Sequence, residues 1–194
     1  MNSLGTCNWL CELLFYLNSF FCHQIPSRSL FIAGLQLPLC SRCTALNLGL
    51  LVGYLWLFSR YKAKKFCYSL PLVLIFLAPM AIDGLTQFLG FRESTNELRI
   101  ITGSLAGIAI ANALGYVVFE LKNFDYERTG YGTCFLIYLF GTFAVTFSLK
   151  LAVEFGDILV YYLLSLILTL LTILNNILIP LYVVYLLIRY LAKR

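Results

Sequence analysis

Of the chain's 194 residues, 61% are hydrophobic and 12% are charged, where a soluble domain carries about 25% charged and 45–50% apolar residues. That balance excludes a water-soluble enzyme of this size, and the ordinary numbers of Gly (13), Pro (5) and Cys (7) exclude a collagen-like repeat, a disordered chain and a small disulfide scaffold. The net charge of +5 comes from basic residues scattered between apolar stretches, with no basic face for nucleic acid, so they read as topology signals of an integral membrane protein.

Residues 1–27 hold a first apolar stretch, Trp9 to Phe21, interrupted by Glu12 and Asn18. On a helix, Cys7, Cys11, Asn18 and Cys22 fall within about a 60° arc. That narrow polar and thiol face predicts an amphipathic helix, either lying in the membrane interface or spanning with the stripe toward a bundle. A cleaved signal peptide is not expected, because there is no basic n-region and no small-x-small site. Ser29 to Leu39 is a second short apolar stretch, broken by Gly34 and Pro38, and reads as a re-entrant or interfacial segment.

Five stretches then approach the roughly 20 apolar residues that cross a hydrocarbon core. They are Cys43 to Ser59, Phe66 to Phe91, Ile100 to Phe119, Thr129 to Leu149 and Ile158 to Ile188, and Asp83 is the only charge among them. The last is 31 residues long and contains Asn175, Asn176 and Pro180. One long, tilted and kinked helix is favoured over a hairpin at the two asparagines, because proline frees a carbonyl and bends the axis. Ala45, Gly49 and Gly53 in the first span, and Gly103, Gly107, Ala111 and Gly115 in the third, form stripes of small residues. Such stripes let helix backbones approach closely, so these two spans are predicted to be core helices. The expected fold is an all-α polytopic bundle in a single membrane domain, 1–194, with the C-terminal helices from 120 onward as an extension.

Lys and Arg in the short loops orient the chain. Arg60, Lys62, Lys64, Lys65, Lys122, Arg128, Arg189, Lys193 and Arg194 give nine on one side, against Arg28, Arg42, Arg92, Arg99 and Lys150, five, on the other. The Arg60–Lys65 loop and the C-terminus are therefore expected in the cytoplasm of a multi-pass cell-membrane protein, and the other loops on the outer face.

Two constellations fall on that outer face. Cys22-His23 is followed, after 16 intervening residues, by Cys40-Ser41-Arg42-Cys43. Three thiols with the only histidine resemble a Cys3His set, and zinc is the economical metal for thiolates plus imidazole. The same atoms allow a second chemistry, thiol–disulfide exchange at Cys40 and Cys43, with Arg42 favouring the thiolate. The second constellation is Asp83 and Gln87, on one helical face, with Arg92, Glu93, Asn96 and Arg99 beyond them. A carboxylate at membrane depth costs about 2.5 kcal/mol or more and nearly always faces a partner or a wet cavity. Arg92 and Arg99 are the nearest partners in sequence. With Asn96 and the third span's N-terminus they suit an anion, either a lipid head group or a small substrate. Asp83 or Glu93 would then serve as base, supported by Gln87 and Arg92. Ser94-x-x-Glu97 also fits a capping box that starts the third span.

These residues carry a resemblance. Cys22-His23-Gln24-Ile25-Pro26-Ser27-Arg28-Ser29-Leu30, Gly34, Leu37-Pro38-Leu39-Cys40-Ser41-Arg42-Cys43-Thr44, Asp83-Gly84-Leu85-Thr86-Gln87 and Arg92 to Arg99 with Gly103 resemble an uncharacterised prokaryotic membrane family, domain of unknown function 2085. The resemblance runs from about Cys22 to Gly107, within a family-like core of 22–119. Ala45 stands where the family usually has Gly, and Leu30 where it has Phe; neither is a candidate ligand. The family brings no activity with it, so the resemblance strengthens the position of the site and leaves the chemistry to its residues. Three functions follow from those residues. The leading one is a metal-binding membrane protein, a zinc-dependent enzyme acting on an anionic lipid or small substrate. The second is a membrane thiol–disulfide oxidoreductase, and the third a transporter or lipid-binding protein whose cysteines are structural. A homo-oligomer is compatible with all three.

Overall fold

A computed structural model describes residues 8–61, 63–67 and 69–192. Cys7 of the predicted thiol face and Lys62, Lys193 and Arg194 of the charge count lie outside the described residues. Backbone groups in hydrocarbon must be satisfied internally, and the five long apolar stretches accordingly form helices: α2 (Ser41–Tyr61), α3 (Leu70–Phe88), α4 (Asn96–Leu121), α5 (Tyr131–Phe155) and a last one of 34 residues, Ile158–Leu191. They are long and apolar enough to cross a membrane, and each overlaps its predicted stretch, with α5 running past the predicted end at Leu149 to Phe155.

The small-residue stripes form the central seam. A Cβ on Gly49 would meet Ser104 O at 2.5 Å, one on Gly103 would meet Arg42 O at 2.6 Å, and one on Gly107 would run into Leu46 O. α2 and α4 therefore touch backbone to backbone, with α4 the most enclosed span, 56% buried against 17% for α3. Gly107→Leu is expected to force the two helices apart, at a cost of about 1–3 kcal/mol, read as reduced resistance to denaturant in micelles.

The last span is one helix, as predicted. It runs as α6 (Ile158–Ile173), widens into a π-helical turn at Leu174–Leu178 and continues as α7 (Ile179–Leu191). Pro180 lacks an N–H, and the widened turn absorbs the lost bond. Asn175 Nδ2 donates there to Asn47 Oδ1 of α2 at 2.8 Å, and Asn176 turns back to Thr172 O.

The N-terminal helix α1 (Trp9–Ser19) is capped by Asn8 and has 11 residues, about 16 Å at 1.5 Å each, too short to cross. Its polar face turns toward the bundle: Cys11, Leu14 and Asn18 are buried, and Asn18 Nδ2 donates to Thr169 Oγ1 of α6 at 2.7 Å.

The predicted re-entrant segment is a β-hairpin, β1 (Ser29–Ile32) and β2 (Leu35–Cys40), paired antiparallel with Ser29 opposite Cys40. Ala33 and Gly34 turn it with φ of +50° and +77°, the left-handed pair that a two-residue hairpin turn requires. Leu30, Ile32, Leu35, Leu37 and Leu39 are buried, and the hairpin packs against Ala45, Ile100, Val145, Leu149, Tyr161 and Leu168. It is a wedge between α2, α4, α5 and α6, and it ends on Cys40, where α2 begins.

The opposite end of the bundle is closed by a short parallel pair, β3 (Lys65–Phe66) with β4 (Glu127–Arg128). Phe66, Phe119, Phe124 and Tyr126 cluster there, and a disulfide joins Cys67 to Cys134.

Candidate functional site

The strand-to-helix junction at Cys40–Ser41 builds the site. Cys40 is the last residue of β2 and Cys43 lies in the first turn of α2, so the pair is presented across a sharp change of backbone. Ser41 Oγ donates to Arg28 O at 3.0 Å, and Asn47 Nδ2 donates to Cys43 O at 3.0 Å. Two glutamines tie the segment around Cys22 to the hairpin. Gln24 Nε2 donates to Phe15 O at 2.7 Å and Pro38 O at 3.0 Å, and Gln36 Nε2 donates to Gln24 O at 2.8 Å. Cys22 thereby reaches Cys40, whose backbone N–H donates to its sulfur at 3.3 Å.

The sulfurs of Cys22, Cys40 and Cys43 all lie within 4.8 Å of one another, and none of the three is in a disulfide. Hydrogen bonds from Cys22 and Cys43 hold the Cys40 thiol well below the usual thiol range, helped by nearby amides. Its hydrogen bond to Cys40 pushes Cys22 up. Tetrahedral zinc, with bonds of about 2.3 Å to sulfur, would set thiolates roughly 3.8 Å apart, a separation within the 4.8 Å that encloses the three sulfurs. The three cysteines could therefore hold a metal ion.

His23 does not join that group. It is exposed while Cys22 is buried, and it stands instead on the wall of a cavity of about 280 Å³ over the thiols. Arg28, Arg42, Arg99 and Gln87 line the same cavity.

Asp83 is 1% exposed near the end of α3. Arg42 Nη2 donates to its Oδ2, and Arg92 Nη2 donates to its Oδ1 at 2.8 Å. Arg42 Nη2 also reaches Gln87 Oε1 at 3.4 Å. Arg92 is thus the partner that the sequence indicated, whereas Arg99 is not, and Arg42, read from sequence only as a neighbour of the thiols, is the link between the two constellations. Asp83 spends both oxygens on guanidiniums. Arg99 is 4% exposed and donates to Asn96 Oδ1 at 2.9 Å, while Asn96 Nδ2 holds Ser29 O at 3.3 Å. Glu93 is exposed and does not line the cavity over the thiols. The capping expectation shifts by one residue: Thr95 Oγ1, not Ser94, accepts the Leu98 N–H, and Glu97 pairs with Lys150 at 2.9 Å instead of reaching back.

A model of the family described as predicted membrane protein, DUF2085, matches residues 22–113, which include the three thiols, Arg42, Asp83, Arg92 and Arg99. An uncharacterised protein of Methanocaldococcus jannaschii is 40% identical over 111 residues, 56% of this chain and 70% of its own length. An uncharacterised protein of Methanothermobacter thermautotrophicus is 40% identical over 92 residues, 47% of this chain and 82% of its own. No solved structure matches.

Proposed function

The chain belongs to this family of predicted membrane proteins, and from the site its matched segment assembles we propose that it is a zinc-dependent membrane protein acting on an anionic lipid or small substrate. One observation carries the reading: three free thiols converge within 4.8 Å beside a cavity walled by guanidiniums. Three soft thiolates in tetrahedral array suit zinc, and a site with three protein ligands keeps one position open for chemistry. Zinc in such a site supplies a Lewis acid or an activated water. The protein's own residues supply the rest. Asp83 fixes Arg42 at the cavity wall, with Gln87 beside it and Arg92 closing the ion pair from the loop. His23, on the same wall, takes the role of proton carrier at the open position. The excess of basic residues in its loops supports an orientation with the Arg60–Lys65 end in the cytoplasm and the thiol face outside.

Metal analysis of the purified full chain, with thiols counted before and after reduction, tests this. One zinc per chain is expected, with Cys22, Cys40 and Cys43 unreactive until a chelator removes it. Metal-free protein carrying a Cys40–Cys43 disulfide would overturn the reading in favour of thiol–disulfide exchange, which the closeness of the three free sulfurs also supports. Cobalt in place of zinc reports the fourth ligand. A spectrum of three sulfurs and one oxygen is expected, and three sulfurs with one nitrogen would move His23 onto the metal and close the site.

A further inference from the structure

The cavity over the thiols holds more positive charge than its surroundings neutralise. Arg28, Arg42 and Arg99 all line it. Among the described residues the ion-paired carboxylates are Asp83, Glu97 and Glu127. Asp83 is shared between Arg42 and Arg92, and the other two hold lysines. Among the described residues Arg28 and Arg99 therefore have no carboxylate within ion-pair distance, although Arg99 is 4% exposed and donates to the neutral amide of Asn96. A buried guanidinium without a counter-charge is costly. Three thiolates around a divalent ion would leave a single negative charge, too little for both arginines.

The three guanidiniums come from different elements: Arg28 from the turn before β1, Arg42 from the first turn of α2 and Arg99 from the first turn of α4. Asn96 ties the first and last of these walls together by bonding both Ser29 O and Arg99. Planar forks that reach one space from three directions match an anion with several equivalent oxygens around one centre. A flat carboxylate offers two. The volume, about 280 Å³, lies at the low end for ligand pockets and suits a head group rather than a whole lipid.

We propose that Arg28, Arg42 and Arg99 form a binding site for a phosphate-type dianion, free phosphate or a phosphomonoester head group, against the open side of the thiol centre. This deepens the function proposed above and rests on that cavity being the working face of the centre. Arg92 pairs with Asp83 and does not line the cavity.

The test uses the full chain in detergent micelles with inorganic phosphate as the first probe and calorimetry as the readout. Phosphatidylcholine vesicles with and without phosphatidic acid are the second probe. Saturable phosphate binding is expected, weakened about tenfold or more by Arg99→Gln, the loss that follows when a charged hydrogen bond is removed. Arg28→Gln, at an exposed position, is expected to weaken binding in the same direction without endangering the fold. Lys65→Gln, at the other end of the bundle, is expected to leave it unchanged. Binding restricted to phosphatidic acid vesicles, with the same response to the two arginine variants, supports the site and identifies its ligand as a lipid. No binding to either probe, or binding indifferent to both variants, overturns the proposal. Metal content measured on the same samples separates the two ideas: phosphate binding without zinc sinks the metal centre and keeps the anion site, and zinc without phosphate binding does the reverse.

Discussion

Asp83→Ala is expected to destabilise the protein by about 3–5 kcal/mol, the cost of removing one partner from a buried ion pair. The carboxylate is 1% exposed, and its loss strands Arg42, whose side chain is 23% exposed and whose Nε is already buried without an acceptor. Arg92 is 45% exposed and can turn to water, so Arg92→Gln is expected to cost much less, about 1 kcal/mol or below, as surface pairs do. Asp83→Asn keeps the shape and removes the charge. It is expected to fall near the alanine variant, because the loss is of counter-charge and not of volume. Unfolding in mixed micelles measures all three. An Asp83→Asn variant as stable as the parent would remove Asp83 from the structural centre of the site and return it to the list of free acids and bases.

The second large effect is on metal. Structural zinc sites are worth about 10–16 kcal/mol in apparent binding free energy, so one thiolate of three or four accounts for roughly 3–4 kcal/mol, or 10²–10³ in affinity. Cys22→Ser, Cys40→Ser and Cys43→Ser are each expected to lose zinc by that factor in a competition titration with a chromophoric chelator. Cys67→Ser, at the opposite end, is expected to retain it. His23→Ala is expected to shift affinity by less than about tenfold, since the three thiolates supply the binding. A His23→Ala loss as large as that of a cysteine variant would assign the imidazole to the metal.

Membrane composition made the helices legible, because a chain in hydrocarbon has few ways to satisfy its backbone. The stripes at Gly49 and Gly107 located the central seam for a similar reason, since only small residues permit that approach. The hairpin was harder. Its period-two pattern, Leu30 and Ile32, then Leu35, Leu37 and Leu39, is present in the sequence, but Ala33-Gly34 is a weak turn signal beside Asn-Gly, and Pro38 suggested a break instead of an edge strand. The thiols were identified by residue type and spacing. His23 was grouped with them because it follows Cys22, yet consecutive residues in non-helical backbone point to different sides, and one is buried where the other is exposed. Arg42 was missed as the partner of Asp83 for the opposite reason: 41 positions separate them, and only the packing of α2 and α3 against α4 brings them together. Arg99 lies far closer in sequence but bonds Asn96 on its own helix and lines the thiol cavity instead.

The disulfide of Cys67 with Cys134 and the three free thiols stand at opposite ends of α2, so a bilayer across this bundle would put sulfur in two compartments of different redox poise. With the basic end inside, as proposed, the free thiols face the oxidising compartment, where three neighbours within 4.8 Å would otherwise join in pairs. A bound zinc ion is then a chemical guard as well as a cofactor, because ligated thiolates are withheld from exchange. Stripping the metal in air would be a one-way event until reductant is supplied, while the Cys67–Cys134 bond would sit within reach of the cell's own thiol pool.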